Sequence, residues 1–399
     1  MKRFFITSSI VAVITVLAFT TAGSLQRVAA AEAKVEAIRV QGPGTQPQIF
    51  FACCDQGLSD MESWVSNPLV ISQLQALHAG LAVEISDFTP ERAQAVRKLN
   101  EAGIPLTAWL VMSREQGHYL NGLNAPEAEE RFTQFEQWTK ENGLKWGAVG
   151  LDIEPNFDQL KEAGKHKGSF LWLMIKRFFD YGQVERGRKA YAGLIQRIRA
   201  AGYPVQTYQM PFLAEERAVH STLIERLFGI VDARSDHEVL MAYSSFNHAA
   251  GGGIPLIYGR QSKGGPQTQT LAVGTTLDDK AAGLTALSWE EFSRDLIVAG
   301  HFSHVVGVYS LEGCIRQSYL PRMALLDWSQ TVTIPADQVA AAQTFDKHLR
   351  HAIWIFSRLP YVVIALLVVA VTFVWWLMRR RSARHEALLL LGGGNLRPL

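Results

Sequence analysis

The chain of 399 residues carries 39 Lys and Arg against 37 Asp and Glu, a formal net charge of +2, with 48% apolar residues and 3 cysteines. So balanced a charge leaves no electrostatic footprint for nucleic acid, and three cysteines exclude a disulfide-dense mini-protein or a four-cysteine zinc module. A mean hydropathy of +0.04 is too low for a multi-span membrane protein; its slight excess comes from the two ends, which leave about 320 residues for one large domain or two ordinary ones.

Met1-Lys2-Arg3 is followed by an apolar run from Phe4 to Ala22 and by small residues at Ala29-Ala30-Ala31. Residues 1–31 therefore read as a secretory signal or, since the apolar run is long, as an uncleaved N-terminal anchor. Between residues 45 and 330 one pattern recurs, a short apolar β-rich run followed by an amphipathic stretch. The predicted strands are Gln48–Cys53, Leu81–Asp87, Pro105–Met112, Ala148–Glu154, Pro204–Met210, Val239–Ser244, Thr270–Thr275 and Val305–Ser310. Helices are predicted from Pro90 (capped by Thr89) to near Gly103, over Ala125–Glu141 after Asn124, over Lys189–Ala201, and from a capping box at Ser288-Trp289-Glu290-Glu291 to Gly300. Eight strands alternating with helices over this length predict an α/β fold, a (β/α)8 TIM barrel. The alternative is a doubly wound open sheet, but Asp55-Gln56-Gly57-Leu58 stands where a Gly-rich phosphate loop would follow the first strand.

Two connections are unusually long. Residues 155–188 follow strand four and include the aromatic and basic run from Phe170 to Phe179; residues 246–268 follow strand six. Insertions on the C-terminal side of barrel strands build the working face. The first reads either as an extra packing helix or as a lid or membrane-resting helix. Beyond the barrel, Ala336–Phe356 reads as a helix or stalk over residues 335–358, ending at Leu359-Pro360. Residues 359–378 then lack a single charge and precede Arg379, Arg380, Arg381 and Arg384. Such a run spans the ~30 Å hydrocarbon core at about 1.5 Å per residue. It is predicted to be a transmembrane helix in contact with membrane lipid, with residues 379–399 as a cytoplasmic tail and the barrel on the extracytoplasmic side. An oxidising compartment would permit one disulfide between Cys314, past strand eight, and Cys53 or Cys54 at the end of strand one; the alternative is three free thiols.

The segment richest in chemistry is Trp146-Gly147-Ala148-Val149-Gly150-Leu151-Asp152-Ile153-Glu154-Pro155-Asn156. Strand side chains alternate faces, so Asp152 and Glu154 point the same way, about 6.5–7 Å apart along the strand. Paired carboxylates raise one another's pKa, so that one stays protonated as a general acid while its neighbour is anionic. Glycosidic bond cleavage uses that division of labour. The alternative is a strand end whose acids cap a helix or pair with arginines. Other strand mouths offer Glu84 and Asp87, Trp109, Tyr208 and Gln209, Tyr309 and Glu312. Flat aromatic rings with a polar edge suit sugar faces, and a charge inside an apolar strand, as at Glu84, is usually paired or functional. His118, His220, His237, His248, His301 and His304 have no metal-ligand spacing, and there is no G-x-S-x-G elbow; no metal or cofactor is expected.

The strand-four D-x-E and the strand-six Met241-Ala242-Tyr243 resemble the D-x-x-D-x-D-x-E and M-x-Y-D motifs of the family 18 (chitinase-like) glycoside hydrolases. Gly147 and Gly150 stand in place of the first two motif aspartates, and Ser244 in place of the last. The resemblance implies Glu154 as the acid, Asp152 orienting a substrate acetamido group and Tyr243 hydrogen-bonding that group. Glu154-Pro155 is also similar to the N-E-P acid/base of retaining barrel glycosidases, which need a strand-seven glutamate where this chain offers only Asp278 or Asp279. Taken together, the sequence predicts a membrane-anchored extracytoplasmic glycoside hydrolase acting on a polysaccharide or oligosaccharide. The alternative is a catalytically inactive barrel that binds a glycan or a partner protein.

Overall fold

The computed structural model describes residues 35–113, 116–262, 269–278 and 284–392. The expected leader at 1–31 and Asp279 lie outside the described residues. A short strand, β1 (Ile38–Gln41), precedes eight parallel strands in chain order: β2 (Gln48–Cys53), β3 (Gly80–Ile85), β4 (Leu106–Leu110), β5 (Ala148–Asp152), β6 (Val205–Gln209), β7 (His237–Met241), β8 (Gln269–Gly274) and β9 (Val305–Tyr309). Strand β9 pairs back onto β2, with Gln48 opposite Val305, so the sheet closes. Closure excludes the doubly wound sheet and gives the TIM-barrel fold predicted from the strand–helix alternation. The predicted strands one to eight are β2 to β9.

Both faces of these strands are covered, which is why they read as continuous apolar runs. The barrel interior is packed by Ala82, Trp109, Val111, Tyr208, Val239, Met241, Tyr243 and Ala272, flanked by Phe50, Ala52, Met210 and Tyr309. Small residues make room for the large ones. A Cβ on Gly150 would lie 2.6 Å from Cε2 of the Tyr208 ring. Gly150→Ala should therefore displace that ring and cost about 1–3 kcal/mol of stability, read as a lower denaturant midpoint at unchanged slope; an unshifted midpoint would show that the ring has room to move.

The helices start where their caps predict. Thr89 Oγ1 accepts the Arg92 N–H at 3.3 Å, and Ser288 with Glu291 forms a complete capping box opening the helix Trp289–Phe302. The helix before β6 begins at Tyr181, eight residues earlier than predicted, with the Asp180 carboxylate accepting the Gln183 N–H at 3.0 Å. Gly187 in this helix is a packing residue: a Cβ there would lie 2.9 Å from Cγ2 of Val231. Residues 155–180 form two further helices, Phe157–Gly164 and Lys167–Phe178. After β7 come a 3₁₀ turn, Ser244–Phe246, and the buried helix Gly253–Ser262.

Strand β1 pairs antiparallel with β10 (Thr331–Ile334), matching Ile38 to Ile334. Val40 and Ile334 pack with Leu256, Val298 and Val339 in a second core outside the barrel. The last helix does not end at Pro360 as predicted but runs from Ala336 to Gly392. Pro360 lies inside it; an internal proline removes one backbone hydrogen bond, which a helix accommodates as a kink as well as a stop. The chain divides into compact units between Ile353 and Trp354. In the second unit Leu359, Leu366, Val369 and Phe373 are exposed, and among the described residues this helix is the one long and apolar enough to cross a membrane.

Candidate active site

The C-terminal end of β5 is held from both sides. The Leu120 N–H donates to the Asp152 carbonyl at 3.0 Å, and the Glu154 N–H donates to the Leu120 carbonyl at 3.0 Å. Leu120 thus pairs with Ile153 as a short parallel extension of the sheet, carrying the strand geometry one step past its end. Gly150 faces the Tyr208 ring inside the barrel, so Asp152, two residues on, has the same inward orientation.

Asp152 is 2% and Glu154 8% exposed. Trp109 Nε1–H donates to Asp152 Oδ2 at 3.0 Å, while Oδ1 has no hydrogen-bond partner among the described residues. Burial pushes the Asp152 carboxyl up to about 7, with the Trp109 hydrogen bond opposing the shift. Burial and then the Asp152 charge raise Glu154 well above the usual carboxylate range. Both carboxyls are thus shifted toward the protonated form, and the pair holds a proton to higher pH than an ordinary carboxylate. Trp109→Phe should move the Asp152 titration to higher pH by removing the donor that favours its anion. The check is the acidic limb of the pH–rate profile, which should shift upward; an unchanged limb would mean that Asp152 does not set it.

Three tyrosines lie around the acids. Tyr119 and Tyr243 have hydroxyls raised by burial first and then by the Glu154 and Asp152 charges; Tyr208 is raised by burial and then by Asp152. Tyr243 stacks on Tyr309 with centroids 5.8 Å apart and planes 16° apart, and the Tyr309 hydroxyl donates to Asp55. Glu312 is buried at the start of the helix Leu311–Arg316, where its Oε1 accepts the Cys54 N–H at 2.6 Å. Burial, then the Asp55 charge, pushes Glu312 up to about 7. Glu84 is buried with its Oε2 3.8 Å from His118 Nε2.

The structure brings Asp152, Glu154, Trp109, Tyr208 and Tyr243 to one end of the barrel, with Tyr309 and Glu312 on its β2–β9 side. Gln209 is not among them. Its Nε2 donates to the Ala233 carbonyl at 3.0 Å, and its Oε1 accepts from Arg217, which also pairs with Asp232 and Glu238. The reason is the pleat: Tyr208 takes the inward face, so its neighbour must point outward. Asp87 likewise serves structure. Burial opposes its ionisation, but the Arg92 guanidinium at 2.7 Å outweighs that and holds the carboxyl at about 2. Arg92 also donates to the Glu84 carbonyl at 2.8 Å, and Arg131 to the carbonyls of Ile85 and Val111 at 2.9 Å. These two buried arginines fix the ends of β3 and β4.

Two site neighbours escaped sequence reasoning. Asp55, just past β2, occupies the same strand-end position that identifies Glu154, a usable signal; Tyr119 lies in a loop without periodicity and gives none. Of the two cysteine readings the structure has the three free thiols: Cys53, Cys54 and Cys314 are all buried and unbonded. Cys54 instead lies beside Cys53, sulfur to sulfur 2.9 Å.

No family model matches the chain, and no curated protein matches it. Among solved structures, it is similar to a GH18 chitinase from Pseudoalteromonas aurantia at 12% identity, covering 70% of this chain and 99% of that one with a TM-score of 0.44. It is also similar to the PgaB (BpsB) glycoside hydrolase domain from Bordetella bronchiseptica at 11% identity, covering 71% and 99% with a TM-score of 0.39. A third is a putative fructose-1,6-biphosphate aldolase from Coccidioides immitis at 10% identity, covering 77% and 87% with a TM-score of 0.32.

Proposed function

We propose that this chain is a glycoside hydrolase anchored by its C-terminal helix, with its barrel on the extracytoplasmic side of the membrane and a polysaccharide or oligosaccharide as substrate. The observation that carries the reading is the adjacency of two buried carboxyls, Asp152 and Glu154, with raised proton affinities at the end of a barrel strand. Glu154 holds the proton and gives it to the glycosidic oxygen as the C–O bond breaks. Water supplies hydroxide to the anomeric carbon and returns a proton to Glu154. Asp152, oriented by Trp109, stays anionic beside the site and favours the positive charge that develops on the sugar ring. Tyr208, Tyr243 and Tyr309 offer ring faces to sugar C–H groups and hydroxyls to sugar oxygens.

The leader-like residues 1–31 and the apolar helix support the anchored, exported topology. The test is release of new reducing ends when the full-length protein is incubated with a panel of extracellular polysaccharides, including polymers of acetamido sugars. Cleavage of one polymer supports the reading. Saturable binding without cleavage would instead identify a glycan-binding barrel.

A further inference from the structure

We infer that the outward face of the helix Lys167–Phe178 rests in the interfacial layer of a lipid bilayer, so that the candidate site opens beside the membrane surface. The inference depends on the membrane-anchored part of the reading above. It starts from an inversion of the usual helix pattern. A surface helix normally buries its apolar stripe and exposes its charges. Here Arg177 is the buried residue, 7% exposed, and its guanidinium donates to the Leu227 carbonyl at 2.9 Å and to Gln159. Leu171, Trp172, Ile175 and Phe179 are exposed instead, Trp172 by 68%. Positions 171, 175 and 179 recur every four residues and form one stripe along the helix, with Trp172 beside it.

This patch is distinct from ordinary surface scatter. In the barrel unit the other exposed large apolar residues, Leu69, Leu123, Phe246 and Leu325, lie far apart in the sequence, whereas five, including Tyr181, fall within 171–181. Contiguous exposed apolar surface marks an interaction site, and isolated residues do not. Its chemistry fits the bilayer interface. Trp, Phe and Tyr sit at headgroup depth, and Lys176, exposed next to Ile175, places a cation beside the apolar stripe where it attracts anionic headgroups. A chain that carries its own membrane span needs little affinity in such a patch, because tethering makes the second contact intramolecular. The two extra helices follow directly on Glu154, at the barrel end that holds the acids. Docking them would present the site to glycans attached at the membrane surface.

The test uses the full chain in vesicles of phosphatidylcholine and phosphatidylglycerol, with a nitroxide label at one introduced cysteine at a time. The native cysteines are buried, so the label goes to the new one. Trp172→Cys and Leu171→Cys probe the patch. Glu101→Cys reports exposed surface at the opposite end of the barrel, and Val369→Cys reports the apolar helix. Collision with dissolved oxygen, which concentrates in lipid, is compared with collision with a water-soluble nickel chelate. The oxygen-to-nickel ratio at Trp172 and Leu171 should exceed that at Glu101 several-fold and approach the value at Val369. A ratio equal to that at Glu101, with Val369 still reading lipid, overturns docking and leaves anchoring intact. A low ratio at Val369 as well overturns both. Labels at 171 and 172 screened from both reagents would mean that protein covers the patch, which also overturns the proposal.

Discussion

Replacing Glu154 by glutamine should abolish glycan turnover, lowering kcat by about 10²–10⁴-fold, while the protein folds as before. Glutamine matches the shape of glutamate and cannot donate a proton to a leaving oxygen. The substitution is well tolerated on physical grounds, because the glutamate it replaces is already held in its neutral form by burial and by the neighbouring Asp152 charge. Asp152→Asn should also lower kcat, since the neutral amide no longer balances positive charge on the sugar. It acts on the proton affinity of Glu154 too: with the Asp152 charge gone, Glu154 should ionise at lower pH and the alkaline limb of the pH–rate profile should move down. Wild-type rates in both variants would remove these residues from the chemistry.

The second large effect concerns stability. The usual acid-labile protein gains stability from low-pKa carboxylates; this one buries several whose proton affinity is raised. Asp152, Glu216 and Glu312 are pushed to about 7 and Glu215 to about 8, in each case chiefly by burial. A carboxyl with a raised folded-state pKa contributes fully while protonated in both states, below about pH 4. As pH rises the unfolded chain ionises first, so stability falls from about pH 4 to 8. Asp87 acts oppositely. Held at about 2, it adds stability above its ordinary pKa that is lost as pH falls from about 4 to 2. The unfolding temperature should therefore peak near pH 4–5 and decline toward pH 8, by a free energy on the order of several kcal/mol for the group. Thermal scans across this range check it, and a maximum at pH 7–8 would contradict the buried, protonated state of these acids. Glu154→Gln should flatten the decline.

Much of the barrel was legible because each strand is a short β-rich run between turn residues. What was hidden depended on distant partners. Strands β1 and β10 are four residues each and pair across nearly the whole chain, so neither shows alone as a periodic run. Gly187, whose missing side chain lets Val231 approach, has no local signature of that packing role. In the candidate site, Asp152 and Glu154 show in the sequence through their two-residue spacing, Trp109 and Tyr208 through their strand-end positions, and Tyr243 through the resemblance to the family 18 M-x-Y motif. Gln209 is a strand-end residue like Tyr208, but the pleat turns successive residues to opposite sides, and it bonds to Ala233 and Arg217 outside the barrel. Tyr119 depends on a loop conformation that no local pattern encodes.

The most direct measurement is the protonation state of the acid pair itself, read by infrared difference spectroscopy between the wild type and Glu154→Gln at pH 8. Subtraction cancels the other buried acids. Loss of a protonated carboxyl stretch in the variant is expected, with Asp152 remaining as a carboxylate. Loss of an ionised carboxylate instead would show that Glu154 holds no proton to give, and the general-acid role assigned to it would fall.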